Sequence, residues 1–247
     1  MEEWDVIVIG AGSAGCALAG RLALSGRDRI LVLEAGPRDL NPWLHLPIGY
    51  GKTFYHPRLN WMYRTERQPG LAEREIYQPR GKVVGGSSAI NAMVYMRGQA
   101  EDFDGWERMG NPGWGWRDVL ATYRRMEDHA LGASAWHGAG GPLHVEDISK
   151  AVHPLTPLFV QAAQEAGLPF NPDLNGETCE GAGIYQITAR GGLRESAARA
   201  YLHPARRSGR VKVETGILVS RTLFAGTRAV AVEGWRGAER VSYRAQS

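Results

Sequence analysis

The first three dozen residues constrain the fold more than any other part of this chain. From Asp5 to Ile9 runs a short apolar segment, the pattern of a strand buried on both faces in a parallel sheet. Gly10-Ala11-Gly12-Ser13-Ala14-Gly15 follows at once and fits G-x-G-x-x-G. Cys16, Leu18, Ala19, Leu22 and Ala23 then recur at helical spacing until Ser25-Gly26 breaks the pattern. A second apolar strand, Arg29 to Leu33, ends in Glu34. In this arrangement Gly10 permits the tight turn, Gly12 lets a pyrophosphate approach the backbone, and Gly15 lets helix and strand pack closely. The helix N-terminus, at Ser13 and Ala14, offers unpaired N–H groups and the positive end of its dipole to phosphate. Glu34, about twenty residues further on, can accept hydrogen bonds from ribose hydroxyls and would repel a 2′-phosphate. The unit therefore predicts a dinucleotide cradle and disfavours NADP, but leaves FAD and NAD open.

A second glycine cluster lies in Arg80-Gly81-Lys82-Val83-Val84-Gly85-Gly86-Ser87-Ser88. Its backbone amides can wrap a polyanion, and Arg80 and Lys82 can help neutralise phosphate. By composition alone it is equally an ordinary glycine- and serine-rich loop. Further on, helical stripes are expected from Arg117 to Glu127 and from Pro157 to Gly167, with a shorter helix from Ser196 to Leu202. Strands are expected at Val211 to Thr215, Leu218 to Phe224 and Thr227 to Val232, the last two joined at Ala225-Gly226. The loop from Gly132 to Gly141 could act as a lid or be passive surface.

The remaining residue types mostly exclude. A net charge of +3 from 29 basic and 26 acidic side chains gives no case for nucleic acid. No run approaches a membrane span, and the acidic start followed by a four-residue apolar run does not make a signal peptide. Cys16 and Cys179 are expected to be free thiols, which suits a reducing, cytoplasmic compartment. None of the seven histidines sits in a metal-ligand or partnered-acid motif, so loop or surface positions are expected for them.

The stretch from Gly81 to Asp104 resembles the first signature of the glucose–methanol–choline oxidoreductases. The resemblance extends to the first cradle with Glu34-Ala35-Gly36, to Asn60-Trp61-Met62-Tyr63, to His137-Gly138, and to Arg194-Glu195-Ser196-Ala197-Ala198. It reaches roughly residue 235. It implies an α/β fold: an incomplete Rossmann-like FAD-binding domain with part of an antiparallel-sheet substrate domain. Residues 1–150 would form the FAD-binding domain with a flavin-covering segment, residues 151–205 the first part of the substrate domain, and residues 206–247 strands returning to the FAD-binding domain. Gly85, Gly86 and Ser87 would lie against the FAD pyrophosphate and ribityl chain. Asn91 and the backbone of Ala92, Met93 and Val94 would flank the isoalloxazine, and Val219 would hydrogen-bond the adenine. Ala35, Trp61, Arg80 and Val84 complete the expected cofactor-binding set. Where some members tether flavin through a histidine this chain has Ile90, so non-covalent FAD is expected.

The implied activity is oxidation of an alcohol CH–OH by hydride transfer to flavin, with a small alcohol as substrate. In the resembling family the proton-accepting histidine and its partner lie near the C-terminus. No catalytic residue is therefore expected in this chain. The alternatives are a non-catalytic FAD-binding fragment, or one subunit of a split enzyme whose second chain supplies the other half. The sequence leaves open which alcohol is used and whether the acceptor is oxygen.

Overall fold

A computed structural model describes residues 3–246. They form two compact units, one comprising residues up to Ala92 and from Gly192 onward, the other Met93–Gly191.

The first unit is built around one strand. Ile30–Glu34 is buried along its whole length and pairs in parallel with Val6–Ile9 on one side and Val211–Thr215 on the other. Because strand side chains alternate between faces, its residues feed two different cores. Ile30 and Val32 join Val8, Cys16, Ala19, Ala23 and Leu202, beneath the Ser13–Ser25 helix. Leu31 and Leu33 join Trp4, Ile217 and Val232 on the opposite face. That face is covered by an antiparallel meander, Ile217–Ala225, Arg228–Arg236 and Glu239–Ala245, whose outer edge pairs with Glu3–Trp4. Full burial of each Leu or Ile on these faces contributes about 1.5–3 kcal/mol.

The expected strands and helices are present with modest shifts in their ends. The segment around Ser196 to Leu202 is a wide helical turn, Ala198–Leu202, running into His203–Arg206. It packs on the cradle helix at Gly20, where a Cβ would come within 3.0 Å of Tyr201 Cβ. The strand Glu239–Ala245 was not expected. Its apolar positions, Val241 and Tyr243, are too sparse among charged residues to stand out by alternation alone.

The second unit carries the helices Ala100–Arg108, Trp116–Met126 and Leu155–Glu165. Asp102 Oδ2 accepts the Gln99 N–H at 2.9 Å and closes a capping box at the first of them. Phe103 stacks on Trp116 at 5.6 Å. Two short ladders complete the unit, Val94–Tyr95 antiparallel to Gln186–Ile187 and Glu127–His129 parallel to Leu143–Val145. Through the first ladder the chain before residue 150 packs with the chain after it, so residue 150 lies inside this unit and residue 205 inside the other.

Candidate functional site

The first unit brings the two glycine loops together. Glu34 is 5% exposed and organises the first loop: its Oε2 accepts the Ala11 N–H at 2.9 Å and its Oε1 the Gly36 N–H at 2.8 Å. Each oxygen keeps a further acceptor direction. Burial raises the Glu34 carboxyl above its ordinary range, opposed by these backbone N–H groups and by Lys82. The Gly10 N–H donates to Leu33 O at 2.7 Å, so the turn is tied to the strand that ends in Glu34. Gly15 sits where a Cβ would fall 1.9 Å from Gly10 O, which leaves room for glycine alone. No side chain caps the helix at Gly12, and Ser13 and Ala14 stand exposed in its first turn. This is an N-terminus open to an anion.

The second loop closes on the first. The Gly85 N–H donates to Ala11 O at 2.7 Å, and a Cβ on Gly86 would lie 2.6 Å from Gly12 Cα. Gly86 opens a short turn, Gly86–Ala89, with φ of +56°. Ser87 Oγ accepts the Gly81 N–H at 3.1 Å, and Ser88 Oγ donates to Gly85 O at 2.6 Å. Ser87, Asn91 and Ala92 are exposed beyond this turn. Ala35 is half-buried behind Glu34.

The other expected residues are spread more widely. Val84 is buried in the helix-side core, and its N–H donates to Pro37 O at 3.1 Å. Trp61 is half-buried, stacks on Tyr63 at 5.8 Å and carries Lys82 Nζ 4.4 Å from its ring centre. The Arg80 side chain is exposed and folds back to donate to Pro79 O at 2.7 Å. Asn60 Oδ1 holds this segment, accepting from Met62 N–H and Arg80 N–H. Val219 lies opposite Gly234 beside the second core, and a register shift follows it before Arg221, interrupting the ladder there. Ile90 is 1% exposed and packs with Leu44, Leu59, Val83 and Ala89. Met93 and Val94 fall in the second unit, where buried Met93, with φ of +64°, accepts the Thr188 N–H at 2.9 Å.

A strand–glycine turn–helix–strand unit closed by a second diglycine turn is shared by a known family, and the family model described as GMC oxidoreductase matches residues 4–246. The chain belongs to the GMC oxidoreductase family. Among relatives it is 48% identical over 239 residues to the mitochondrial choline dehydrogenase of Homo sapiens, covering 94% of this chain and 40% of that protein. It is 44% identical over 230 residues to an alcohol dehydrogenase [acceptor] of Pseudomonas putida, covering 93% and 42%. Among solved structures, the crystal structure of pyridoxine 4-oxidase from Mesorbium loti superposes with a TM-score of 0.91 at 34% identity, covering 98% of this chain and 48% of that one. Formate oxidase, at 21% identity and a TM-score of 0.87, shares the fold. The chain thus spans about two-fifths of the length of these dehydrogenase relatives.

Two features of this GMC chain were not legible as site elements. Arg194, 1% exposed, donates from Nε to Leu44 O at 3.0 Å and from Nη1 to Ser88 O at 3.2 Å and Asn91 Oδ1 at 2.7 Å. Its partners lie far away in sequence and two of them are backbone carbonyls, so no spacing rule points to it.

The second feature is a buried polar network in the second unit. Glu127 accepts from Arg97, from the Tyr95 hydroxyl at 2.5 Å and from the Gly138 N–H at 3.1 Å, and its Oε2 lies 3.2 Å from His137 Nδ1. His137 Nε2 lies 2.8 Å from Asp173 Oδ2. Although burial opposes it, hydrogen bonds to these two acids hold the His137 pKa at about 9. Burial would raise the Glu127 carboxyl, yet its His137, Arg97 and Tyr95 partners bring it to about 2. His129 stacks on His137 with ring centres 3.8 Å apart and is lowered by burial and by that charge. The expected loop or surface position therefore fails for His129, which is buried in the Glu127–His129 strand, while His137 lies in a loop, as expected, but is 3% exposed. The acidic partners of His137, Glu127 and Asp173, lie ten and thirty-six residues away, outside any motif.

Proposed function

We propose that this chain holds FAD, without a covalent link, in the cradle formed by its two glycine loops, as the cofactor-binding part of an enzyme that oxidises an alcohol. The observation that carries the reading is the closure of the second loop on the first, with Gly85 N–H on Ala11 O and the Gly86 position against Gly12. One phosphate-binding turn would serve any dinucleotide. A second one locked to it suits a longer cofactor whose pyrophosphate and ribityl chain are both enclosed.

The residues divide the work by chemistry. The open helix end at Gly12, Ser13 and Ala14 offers N–H groups to the pyrophosphate. Glu34 retains acceptor capacity for ribose hydroxyls. Gly85 and Ser87 follow the chain toward the exposed Asn91 and Ala92, which would border the ring system. Val219, beside its interrupted ladder, offers backbone groups to the adenine. Ile90 has no nucleophile and its side chain is in the core, which supports a non-covalent cofactor. When bound, FAD accepts the hydride from the donor carbon; the protein orients cofactor and donor. The relatives named choline and alcohol dehydrogenases support an alcohol donor.

None of the cradle residues is positioned as a general base, so we assign proton abstraction to groups outside this chain. The test is anaerobic mixing of FAD-loaded chain with choline and with simple primary alcohols. Unbleached oxidised-flavin absorption is expected for the chain alone. Rapid bleaching by alcohol would show that the chain carries its own base and would overturn this division of labour.

A further inference from the structure

The cradle contains a buried cation whose charge no carboxylate answers. Arg194 is 1% exposed, and among the described residues its side chain hydrogen-bonds only neutral oxygens. No ion pair to it is present among them, and its Nη2 has no hydrogen-bond partner. Burial alone lowers its pKa, to about 10, which leaves it charged at neutral pH. A buried, uncompensated charge is costly. A guanidinium in this position suits a task other than core packing.

The geometry indicates the task. The Arg194 backbone is itself fixed, its N–H donating to His45 O at 2.8 Å. From there the guanidinium fork reaches two separate pieces of chain. Nε holds Leu44 O. Nη1 holds both the carbonyl of Ser88, inside the Gly86–Ala89 turn, and the side-chain oxygen of Asn91 just beyond it. The other side of that turn is held from the same strand of sequence, because Ser88 Oγ accepts the Ala197 N–H at 2.9 Å. Arg194 and Ala197 thus grip the second glycine loop from behind while its front meets Gly12. A planar fork fixes direction as well as distance, which an ammonium group does not.

We infer that Arg194 is the positioning residue of the second glycine loop: it holds residues 85–91 in the shape that receives the cofactor, and places positive charge behind a loop that receives a polyanion. This rests on the FAD reading above, and the two can fail separately.

The experiment compares the full chain with Arg194→Lys and Arg194→Met. Hydrogen exchange is followed by mass spectrometry in peptides covering residues 85–91 and, as a control, Ile30–Glu34; FAD affinity is titrated by flavin fluorescence. Loss of hydrogen bonds from a charged donor should speed exchange of residues 85–91 about ten-fold or more in both variants, with the control strand unchanged. FAD affinity should fall in both and fall further in Arg194→Met, which loses charge as well as fork. Unchanged exchange at 85–91 overturns the inference. An equal rise in the control strand overturns it as well, since Arg194 would then be a general core residue. Selective loosening with unchanged FAD affinity overturns the cofactor role. If the parent chain binds no FAD, the functional reading fails, and the exchange comparison still decides whether Arg194 holds the loop.

Discussion

A Cβ on Gly86 would lie 2.6 Å from the Cα of Gly12, so the two glycine loops meet at a separation that only a hydrogen atom fills. Gly86 also has φ of +56°, which a side chain rarely adopts. Gly86→Ala should therefore cost about 1–3 kcal/mol from backbone strain and push the second loop off the first. Thermal melting should fall, and FAD affinity should fall by more than the stability loss accounts for. Fluorescence titration of the variant at a temperature where it remains folded checks this.

Glu34→Gln tests the organiser of the first turn. The carboxylate accepts from Ala11 and Gly36 N–H groups, but an amide can accept through one oxygen only and turns its NH2 toward the other donor. The variant should lose about 1–3 kcal/mol in a urea melt. Because the folded-state pKa of Glu34 is raised, its ionisation opposes stability above the ordinary carboxylate range, so part of that loss is offset at neutral pH.

Ile90→His asks whether a histidine at that position could tether flavin in this backbone. The side chain at residue 90 sits among Leu44, Leu59, Val83 and Ala89, so a histidine placed there would be buried in hydrocarbon. Denaturing gel electrophoresis should show no flavin fluorescence on the protein band, while the melting temperature drops.

The network in the second unit predicts an alkaline weakness. The pKa of His137 is raised from 6.5 to about 9, so its contribution is complete below pH 6.5 and disappears as pH rises through about 9. Glu127, held at about 2, contributes above its ordinary value of 4.5 and loses that contribution as pH falls toward 2. His129, lowered by burial, acts in the opposite sense to His137 and loses stability as pH falls below 6.5. Hydrogen exchange in the Glu127–His129 strand should accelerate between pH 7 and pH 9.5 beyond the intrinsic base-catalysed rate. His137→Asn should be destabilised at pH 7 and nearly matched to the parent at the alkaline end.

The first cradle was legible because its parts are contiguous: strand, glycines, helix, strand and Glu34 each have a local cause within one stretch of sequence. The second loop was legible only through resemblance, since Gly85 and Gly86 acquire meaning by touching Ala11 and Gly12, a contact no periodicity announces. Glu34 shows the limit in detail. Its acidity and position were readable, but its grip on Ala11 and Gly36 follows from a turn geometry that spacing does not encode. Val84 was placed in the cofactor set without a role for its side chain, which the helix-side core takes up. His129 and His137 escaped because burial depends on how distant loops pack, and Glu239–Ala245 because a half-exposed strand alternates charged with apolar residues too weakly to stand out.

The most direct measurement is equilibrium binding of FAD to the purified chain, read as flavin absorption that co-elutes on gel filtration and passes to the supernatant after heat denaturation. The two-loop cradle predicts a flavin spectrum that travels with the folded protein and is released completely on unfolding. A chain that stays colourless after incubation with FAD would contradict it.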